Sequence, residues 1–173
     1  MIETLINELK SFAKKDFPVH EVSNYLQNLV INDNSLKQYT FLSKKFYTRN
    51  LIHREKDFEI LLICWPPNTD SPIHVHEGEK CWARVEKGNL QICNYREVSK
   101  DPLKLRLLKK VSCDPGFLDG PADIHSVENV SNSFSTSLHV YAKPYDACDI
   151  YNVDNRSIER KKLSYFSISG TVC

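Results

Sequence analysis

The sequence lacks an excess of charge of either sign, because 23 lysines and arginines nearly cancel 22 aspartates and glutamates. Nucleic acids and anionic membrane surfaces are bound mainly through positive charge, so neither is expected as a partner. The sequence also has no apolar run of the roughly 20 residues that a membrane-spanning helix requires. It has no G-x-G-x-x-G loop, so no cofactor of the kind bound by such loops is expected.

No secretory leader is expected, since charged residues interrupt the N-terminus at Glu3, Glu8 and Lys10. The six cysteines are irregularly spaced in a chain that is not short, which argues against a disulfide framework. They are Cys64, Cys81, Cys93, Cys113, Cys148 and Cys173. We therefore expect reduced thiols in a cytoplasmic protein, and we expect the protein to be a monomer.

The 173 residues are enough for one domain with a sizeable core, and residues 1–173 are predicted to form it. Residues 1–40 show helical periodicity, first in the apolar residues between Ile2 and Phe12 and again, after Pro18, between Val22 and Val30. Residues 41–173 have a shorter period. The sequence therefore predicts a helical flank followed by a β-rich part.

Short β-rich runs fill that second part and are separated by turn signals such as Lys87-Gly88-Asn89 and Asp119-Gly120-Pro121. Many short strands behind a helical prefix indicate a mainly β protein, either a small β-barrel or a jelly roll, with an N-terminal helical flank. The predicted strands are Phe46–His53, Phe58–Trp65, Ile73–His76, Cys81–Glu86, Leu90–Tyr95, Leu103–Val111, Ser137–Tyr141 and Leu163–Ile168.

The most informative residues are three histidines with metal-ligand spacing. His74 and His76 stand two apart, so on a strand both side chains project from one face. His125, in a His-x-x-x-Asn motif, can complete a three-imidazole set with an open face. Iron, nickel, copper and zinc all accept imidazole, so the ligands alone do not name the metal. Cys81 stands where a carboxylate ligand is usual, and such a site suits a substrate that brings its own negative charge.

Two further groups of polar residues have open interpretations. Ser137, His139 and Tyr141 alternate with apolar residues, so they share one strand face, which either faces solvent or lines the metal cavity. In the second case Ser137 can orient His139, and His139 can orient the phenol of Tyr141. Arg49, close to Tyr47, is either a surface residue or a buried guanidinium that can bind a carboxylate with two hydrogen bonds.

From Tyr47 to Tyr165 the chain resembles cysteine dioxygenase, a thiol dioxygenase family of the cupin superfamily. The resemblance depends on the order and spacing of several motifs, each modest alone. They are Tyr47-Thr-Arg49-Asn50, Cys64-Trp65, Ile73-His74-Val-His76 with Cys81, Lys87-Gly88-Asn89-Leu90, Ile124-His125-Ser-Val-Glu128-Asn129, Ser137-Leu-His139-Val-Tyr141 and Tyr145-Asp-Ala-Cys148.

The resemblance implies a cupin-type β-barrel with iron(II) on His74, His76 and His125. It also implies that Arg49 and Tyr47 hold a substrate carboxylate, while His139 and Tyr141 provide polar groups around the metal. In animal members a thioether joins the residues that match Cys81 and Tyr141, and the cysteine matching Cys148 lies at the cavity entrance. After Tyr141, where members commonly carry Ser-Pro-Pro, this chain has Ala142, Lys143 and Pro144.

The implied reaction, in cysteine catabolism, converts the thiol of L-cysteine to a sulfinic acid with O₂. It removes four electrons, the number that O₂ accepts on full reduction, so no external reductant is required. The alternatives are a sibling enzyme for 3-mercaptopropionate or another small thiol, and a non-enzymatic metal-binding cupin. Arg49 favours cysteine, because the mercaptopropionate branch carries glutamine there and cysteamine has no carboxylate. A non-enzymatic cupin would not need Arg49, Cys81 and Tyr141 together.

Overall fold

Helices come first in the computed structural model, which describes residues 1–121 and 123–173. They are α1 (Ile2–Ala13), α2 (Val19–Asn28) and the short α3 (Asp33–Lys37). The two predicted helices are confirmed, although α2 ends at Asn28 because Leu29 turns to an extended conformation. The third has only five residues, too few for a periodic signal. No helix in the described residues is long and apolar enough to cross a membrane.

Strands make up most of the remaining structure. In chain order they are β1 (Thr48–Arg54), β2 (Glu59–Trp65), β3 (Thr69–Asp70), β4 (Ile73–Val75), β5 (Lys80–Lys87), β6 (Leu90–Lys100), β7 (Leu103–Cys113), β8 (Leu118–Asp119), β9 (Ile124–Asn129), β10 (Ser135–Ala142), β11 (Ala147–Asn152), β12 (Ser157–Lys162), β13 (Ser167–Ile168) and β14 (Thr171–Val172). All six cysteines are free.

The strands form two sheets. The first has the order β14-β13-β1-β2-β10-β5-β8, and the second has the order β12-β11-β4-β9-β6-β7, with β3 paired to β9. Among the pairings that the described residues make, β1 with β13 is parallel and the others are antiparallel. The prediction of a mainly β fold with an N-terminal helical flank is confirmed.

The central strands of the first sheet are buried on both faces. Every residue of β2 and β10 is buried, and alternate residues join different cores because successive side chains point to opposite sides of a sheet. In β2, Ile60 and Leu62 belong to one core cluster, whereas Leu61 and Ile63 belong to the other. Both faces of this sheet are therefore covered, one of them towards the interior between the sheets.

The helices cover the outer face of the first sheet. Leu5 and Leu9 of α1 and Leu26 of α2 are buried in the same cluster as Ile60 and Leu62. Each fully buried leucine or isoleucine contributes about 1.5–3 kcal/mol relative to an exposed one. This packing leaves the opposite face of the sheet to form the interior in which the site lies.

Three of the strands that were not predicted are β9, β11 and β12. The sequence of β12 is Ser-Ile-Glu-Arg-Lys-Lys. This strand lies at the edge of the second sheet, where β11 is its one partner among the described strands. Charged residues are usual on edge strands, so no apolar alternation marks it. The predicted strand Leu163–Ile168 was mostly wrong, because only Ser167–Ile168 is a strand. Residues 163–166 instead cross from the second sheet to the first.

Gly88 and Asn129, which belong to two of the motifs that carry the resemblance, have roles in the fold. Gly88 has φ of +76°, and a Cβ there would lie 2.3 Å from Oγ of Ser135, so this turn between β5 and β6 requires glycine. Asn129 donates from Nδ2 to the carbonyl oxygens of Trp65 and Ser133. Both residues therefore support the barrel rather than contribute metal ligands.

Candidate metal centre

The pairing of β4 with β9 brings the predicted histidines together. His74 and His125 are directly opposite in that pairing, and His76 lies on the same side as His74 because it is two residues further along the chain. The three ring centroids are 4.6–5.0 Å apart. One possible ligand atom from each ring lies within 4.8 Å of the other two. The three residues together can hold a metal ion.

The ring of His74 is oriented by the backbone. Its Nδ1 lies 2.9 Å from the carbonyl oxygen of Pro72, and since a carbonyl can only accept, Nδ1 carries the hydrogen. Burial and the nearby His125 lower the pKa of His74 to about 3, so the ring is neutral at physiological pH. Nε2 therefore keeps the lone pair that a metal ligand requires.

The carboxylate of Asp119 lies beside the Nδ1 edge of the His125 ring. Its Oδ2 lies 3.5 Å from Nδ1 of His125, while Nδ2 of Asn94 donates to its Oδ1 at 3.2 Å. Burial raises the pKa of the Asp119 carboxyl, but His125 and Asn94 outweigh that effect and the net pKa is lowered. A carboxylate in this place fixes the ring of a metal-binding histidine and increases its basicity. The donor set thus fits a divalent metal.

Sequence reasoning did not identify Asp119 as a site residue, since the Asp-Gly-Pro sequence indicates only a turn. The available signal was a carboxylate just before a turn that leads into the strand of His125. Asp119 pairs with Ala83 through β8 and β5, a contact between distant parts of the chain that no local pattern reveals.

The row formed by Ser137, His139 and Tyr141 faces the interior rather than solvent. Each of the three residues is at most 3% exposed. Oγ of Ser137 lies 2.8 Å from Nε2 of His139, and Nδ1 of His139 lies 3.2 Å from the phenol oxygen of Tyr141. The indole N–H of Trp65 donates to Ser137 at 2.9 Å. Burial lowers the pKa of His139 well below its usual value, so this imidazole is neutral.

Cys81 and Tyr141 are directly opposite on β5 and β10. Both are buried, and burial raises the pKa values of the thiol and of the phenol well above their usual values. Tyr145, which was not predicted as a site residue, packs edge-on against the Tyr141 ring with centroids 5.1 Å apart. The two predicted partners of a thioether are thus strand neighbours in a protected interior.

The substitution after Tyr141 leaves this arrangement in place. Lys143, where family members commonly have proline, adopts φ of +100°, a conformation that costs a residue with a side chain about 1–3 kcal/mol. Its ammonium lies 3.7 Å from Glu79. Tyr141 keeps its pairing with Cys81, and the strained Lys143 lies after the end of β10 at Ala142.

A cavity of about 530 Å³, its open mouth included, lies next to the histidines. Nη1 of Arg49 donates to the carbonyl oxygen of Ser164 at 3.2 Å, while Nη2 is buried and has no hydrogen-bond partner in the part of the chain that the structure describes. The ring of Tyr47 packs on Trp65 with centroids 4.8 Å apart. Seven of the predicted site residues line this cavity: Tyr47, Arg49, His74, His125, His139, Tyr141 and Cys148.

Sequence comparison gives a consistent family assignment. A family model described as Cysteine dioxygenase type I matches residues 1–154. Cysteine dioxygenase type 1 of Rattus norvegicus is 28% identical over 167 residues, covering 92% of this chain and 80% of the rat protein. The Bos taurus protein of the same name is 26% identical over 159 residues, covering 88% of this chain and 78% of the bovine protein.

Structural comparison adds a similarity in fold. The crystal structure of TT1209 from Thermus thermophilus superposes with a TM-score of 0.52 and 20% sequence identity, covering 66% of this chain and 98% of that chain. At this identity the likeness concerns the fold alone.

We predict that Asp119→Asn weakens metal binding roughly ten- to a hundred-fold, because the carboxylate facing His125 is replaced by a neutral amide of the same shape. The measurement is the dissociation constant of a divalent metal, determined by competition with a chromophoric chelator. Asp114→Asn is the matched control, since Asp114 is an exposed acceptor from Asn89. Equal affinities for the parent and Asp119→Asn would show that this carboxylate does not support the ligand set.

Proposed function

The chain belongs to the cysteine dioxygenase type I family, and from this membership we propose that it oxidises the thiol of L-cysteine with O₂ to cysteine sulfinate. We propose iron(II) as the metal and His74, His76 and His125 as its ligands. The observation that carries the proposal is the convergence of these rings beside a cavity that Arg49 also lines. The site thus combines a metal-binding set with a cation that suits a carboxylate.

The chemistry of the ligand set agrees with a thiol substrate. Iron(II), when bound, provides a centre at which a thiol is held in its ionised form and O₂ is reduced. His74 is a neutral ligand, and the three-histidine set contains no carboxylate. A thiolate would supply the negative charge that the protein does not provide there. Four electrons leave the sulfur and both oxygen atoms of O₂ enter the product, so the reaction balances without another reductant.

Arg49 would hold the substrate carboxylate. Its buried Nη2 has no hydrogen-bond partner among the described residues, so it has donors to offer to a ligand, and a guanidinium binds a carboxylate with well-defined geometry. The phenol of Tyr47 lines the same cavity and would donate to the same group. Fixing this end of the substrate holds the thiol at the metal and avoids the entropy cost of an encounter in solution.

The row formed by Ser137, His139 and Tyr141 would control the direction in which the phenol hydrogen of Tyr141 is donated. Trp65 donates to Ser137, so the hydroxyl hydrogen of Ser137 is available for Nε2 of His139, and Nδ1–H of His139 can then donate to the Tyr141 oxygen. The phenol hydrogen of Tyr141 remains to be donated into the cavity. In a dry site such a donor stabilises negative charge as it develops on oxygen.

A thioether between Cys81 and Tyr141 is a further part of the proposal. Its formation removes the thiol hydrogen of Cys81 and one ring hydrogen of Tyr141, and O₂ takes up the two electrons and the two protons as hydrogen peroxide. The bond would fix the phenol in one position and adjust activity without being essential for it. Burial of both residues limits competing reactions of the thiol.

The proposal also covers Cys148, the domain organisation and the cellular compartment. Cys148, a buried residue of the cavity wall, would lie against the substrate at the entrance. We propose that residues 1–173 form one domain that acts as a monomer in the cytoplasm, where the six free cysteines would stay reduced.

The direct experiment is anaerobic reconstitution with iron(II), followed by O₂ uptake with L-cysteine and with 3-mercaptopropionate. We expect one O₂ consumed per cysteine, with sulfinate as the product and a preference for cysteine.

Replacing His74, His76 or His125 with alanine should abolish both bound iron and O₂ uptake, because too few fixed donors remain. His20→Ala, in α2 and outside the site, is the control. Full iron content in all three histidine variants would refute the metal assignment.

For Arg49 we predict that replacement with alanine raises the KM for L-cysteine by roughly ten- to a hundred-fold, since a charge-assisted hydrogen bond contributes about 1.5–3 kcal/mol. Arg49→Gln should also erode the preference for cysteine over 3-mercaptopropionate. Steady-state kinetics with both thiols are the measurement, and Arg84→Ala, outside the cavity, is the control. Parent-like kinetics in both Arg49 variants would contradict the carboxylate-binding role.

For the thioether we predict that aerobic turnover produces a species two hydrogens lighter than the parent. A tryptic digest should then contain the Cys81 peptide joined to the Tyr141 peptide. Cys81→Ser should lose this species and keep partial activity, because the histidines and Arg49 are unchanged, whereas Cys64→Ser should still form it. If no joined peptide is found after many turnovers, this chain contains both residues but does not form the bond.

A further inference from the structure

Glu59 is a buried carboxylate that the proposed chemistry does not use. It belongs to β2, where the neighbouring residues are apolar, and its side chain is completely buried. The register places it opposite Arg54 on β1 and opposite Tyr141 on β10. Burial raises the pKa of the Glu59 carboxyl, and Oε1 has no hydrogen-bond partner among the described residues. Burying such a group is costly unless partners satisfy it, so the contacts of Oε2 indicate what Glu59 supports.

The main partner of Glu59 is the phenol of Tyr165. The phenol donates to Oε2 of Glu59 at 2.5 Å and accepts from Nη1 of Arg54 at 2.5 Å. Arg54 is itself held by Asp146 at 2.7 Å. Burial and Glu59 raise the pKa of Tyr165 to about 12, so the phenol keeps its hydrogen. Tyr165 is therefore fixed by one acceptor and one donor.

The ring of Tyr165 in turn contacts Arg49. The guanidinium carbon of Arg49 lies 5.4 Å from the ring centroid, and that of Arg54 lies 6.0 Å from it. Ser164, the residue before Tyr165, accepts the Arg49 hydrogen bond through its carbonyl oxygen. Two consecutive residues thus hold the Arg49 guanidinium, one through a backbone acceptor and the other through an aromatic face.

The contacts with Ser164 and Tyr165 leave hydrogen-bond donors of Arg49 available for a ligand. Within the described residues the guanidinium of Arg49 has one hydrogen bond, to Ser164, and Nη2 is buried without a partner. A carboxylate directly paired with Arg49 would compete with a substrate for these donors. An aromatic face attracts a guanidinium without occupying its N–H groups.

We propose that Tyr165, anchored by Glu59 and Arg54, is a positioning residue that sets the Arg49 guanidinium for the substrate carboxylate. This inference rests on the proposed carboxylate-binding role of Arg49 and adds the element that orients it. Glu59 acts through Tyr165 and does not touch the substrate.

The test compares two ligands that differ in the group Arg49 would bind. The iron(II)-loaded protein is titrated under anaerobic conditions with L-cysteine and with L-cysteine methyl ester, which has no carboxylate charge. Tyr165→Leu should weaken binding of L-cysteine about 2- to 30-fold, the range expected for the loss of a cation–π contact. Binding of the ester should change less than about twofold by the same principle, because a neutral ester gains little from Arg49.

Two further variants separate positioning from damage to the fold. Tyr165→Phe combined with Glu59→Gln keeps the ring and avoids an unpaired buried charge, so we expect a smaller loss, again confined to L-cysteine. Tyr151→Phe is the matched control, since Tyr151 also donates to a glutamate, Glu97, but does not line the cavity. It should bind both ligands like the parent, and circular dichroism should show that each variant is folded.

The outcomes distinguish this inference from the proposed function. If Arg49→Gln weakens only L-cysteine and Tyr165→Leu weakens neither ligand, or weakens both equally, the positioning role of Tyr165 is wrong and the role of Arg49 stands. If Arg49→Gln affects both ligands equally, the carboxylate-binding role is wrong as well. Selective loss of L-cysteine in both variants supports the inference.

Discussion

Burial of the first sheet on both faces is the constraint on which the site depends. The helices cover the outer side chains of β2 and β10, so the inner side chains of the same strands form the wall of a closed interior. Ser137, His139 and Tyr141 alternate with Leu138 and Val140 for this reason. The apolar residues hold the sheet to the helices, and the polar residues are thereby placed on the interior face, where His139 and Tyr141 line the cavity and Ser137 contacts His139.

The same burial determines the charge of the site. It lowers the pKa values of His74 and His139 and raises those of Cys81 and Tyr141, so these four groups are neutral at physiological pH. The charged groups lie around them, with Asp119 behind His125 and Arg49 across the cavity. A neutral centre with the cationic side chains of Arg49 and Lys161 in the cavity wall favours a small anionic ligand that also carries a metal-binding group.

Local patterns in the sequence predicted much of this arrangement, and long-range pairing produced the rest. His74 and His76 were recognisable because two residues on one strand share a face, and the helical flank followed from regular apolar spacing. Asp119 and Tyr165 reach the site through contacts with residues far away in the chain, so Tyr165 had no local signal and Asp119 had only its place before a turn. Glu59 gave no signal because the other residues of its strand are apolar. Strand β12 gave none because its residues are almost all polar and show no alternation.

The cavity is built from two separate stretches of the chain, and residues 163–166, which cross between the sheets, belong to the second. The three histidines that can hold a metal come from β4, the residue that follows it, and β9, all within residues 1–154 that the family model matches. Ser164 and Tyr165 lie beyond residue 154, where that match ends, and β13 then pairs in parallel with β1, the strand of Arg49. A substitution in residues 163–166 can therefore change how the Arg49 guanidinium is held while the three histidines keep their positions, so the two ends of the cavity can vary independently.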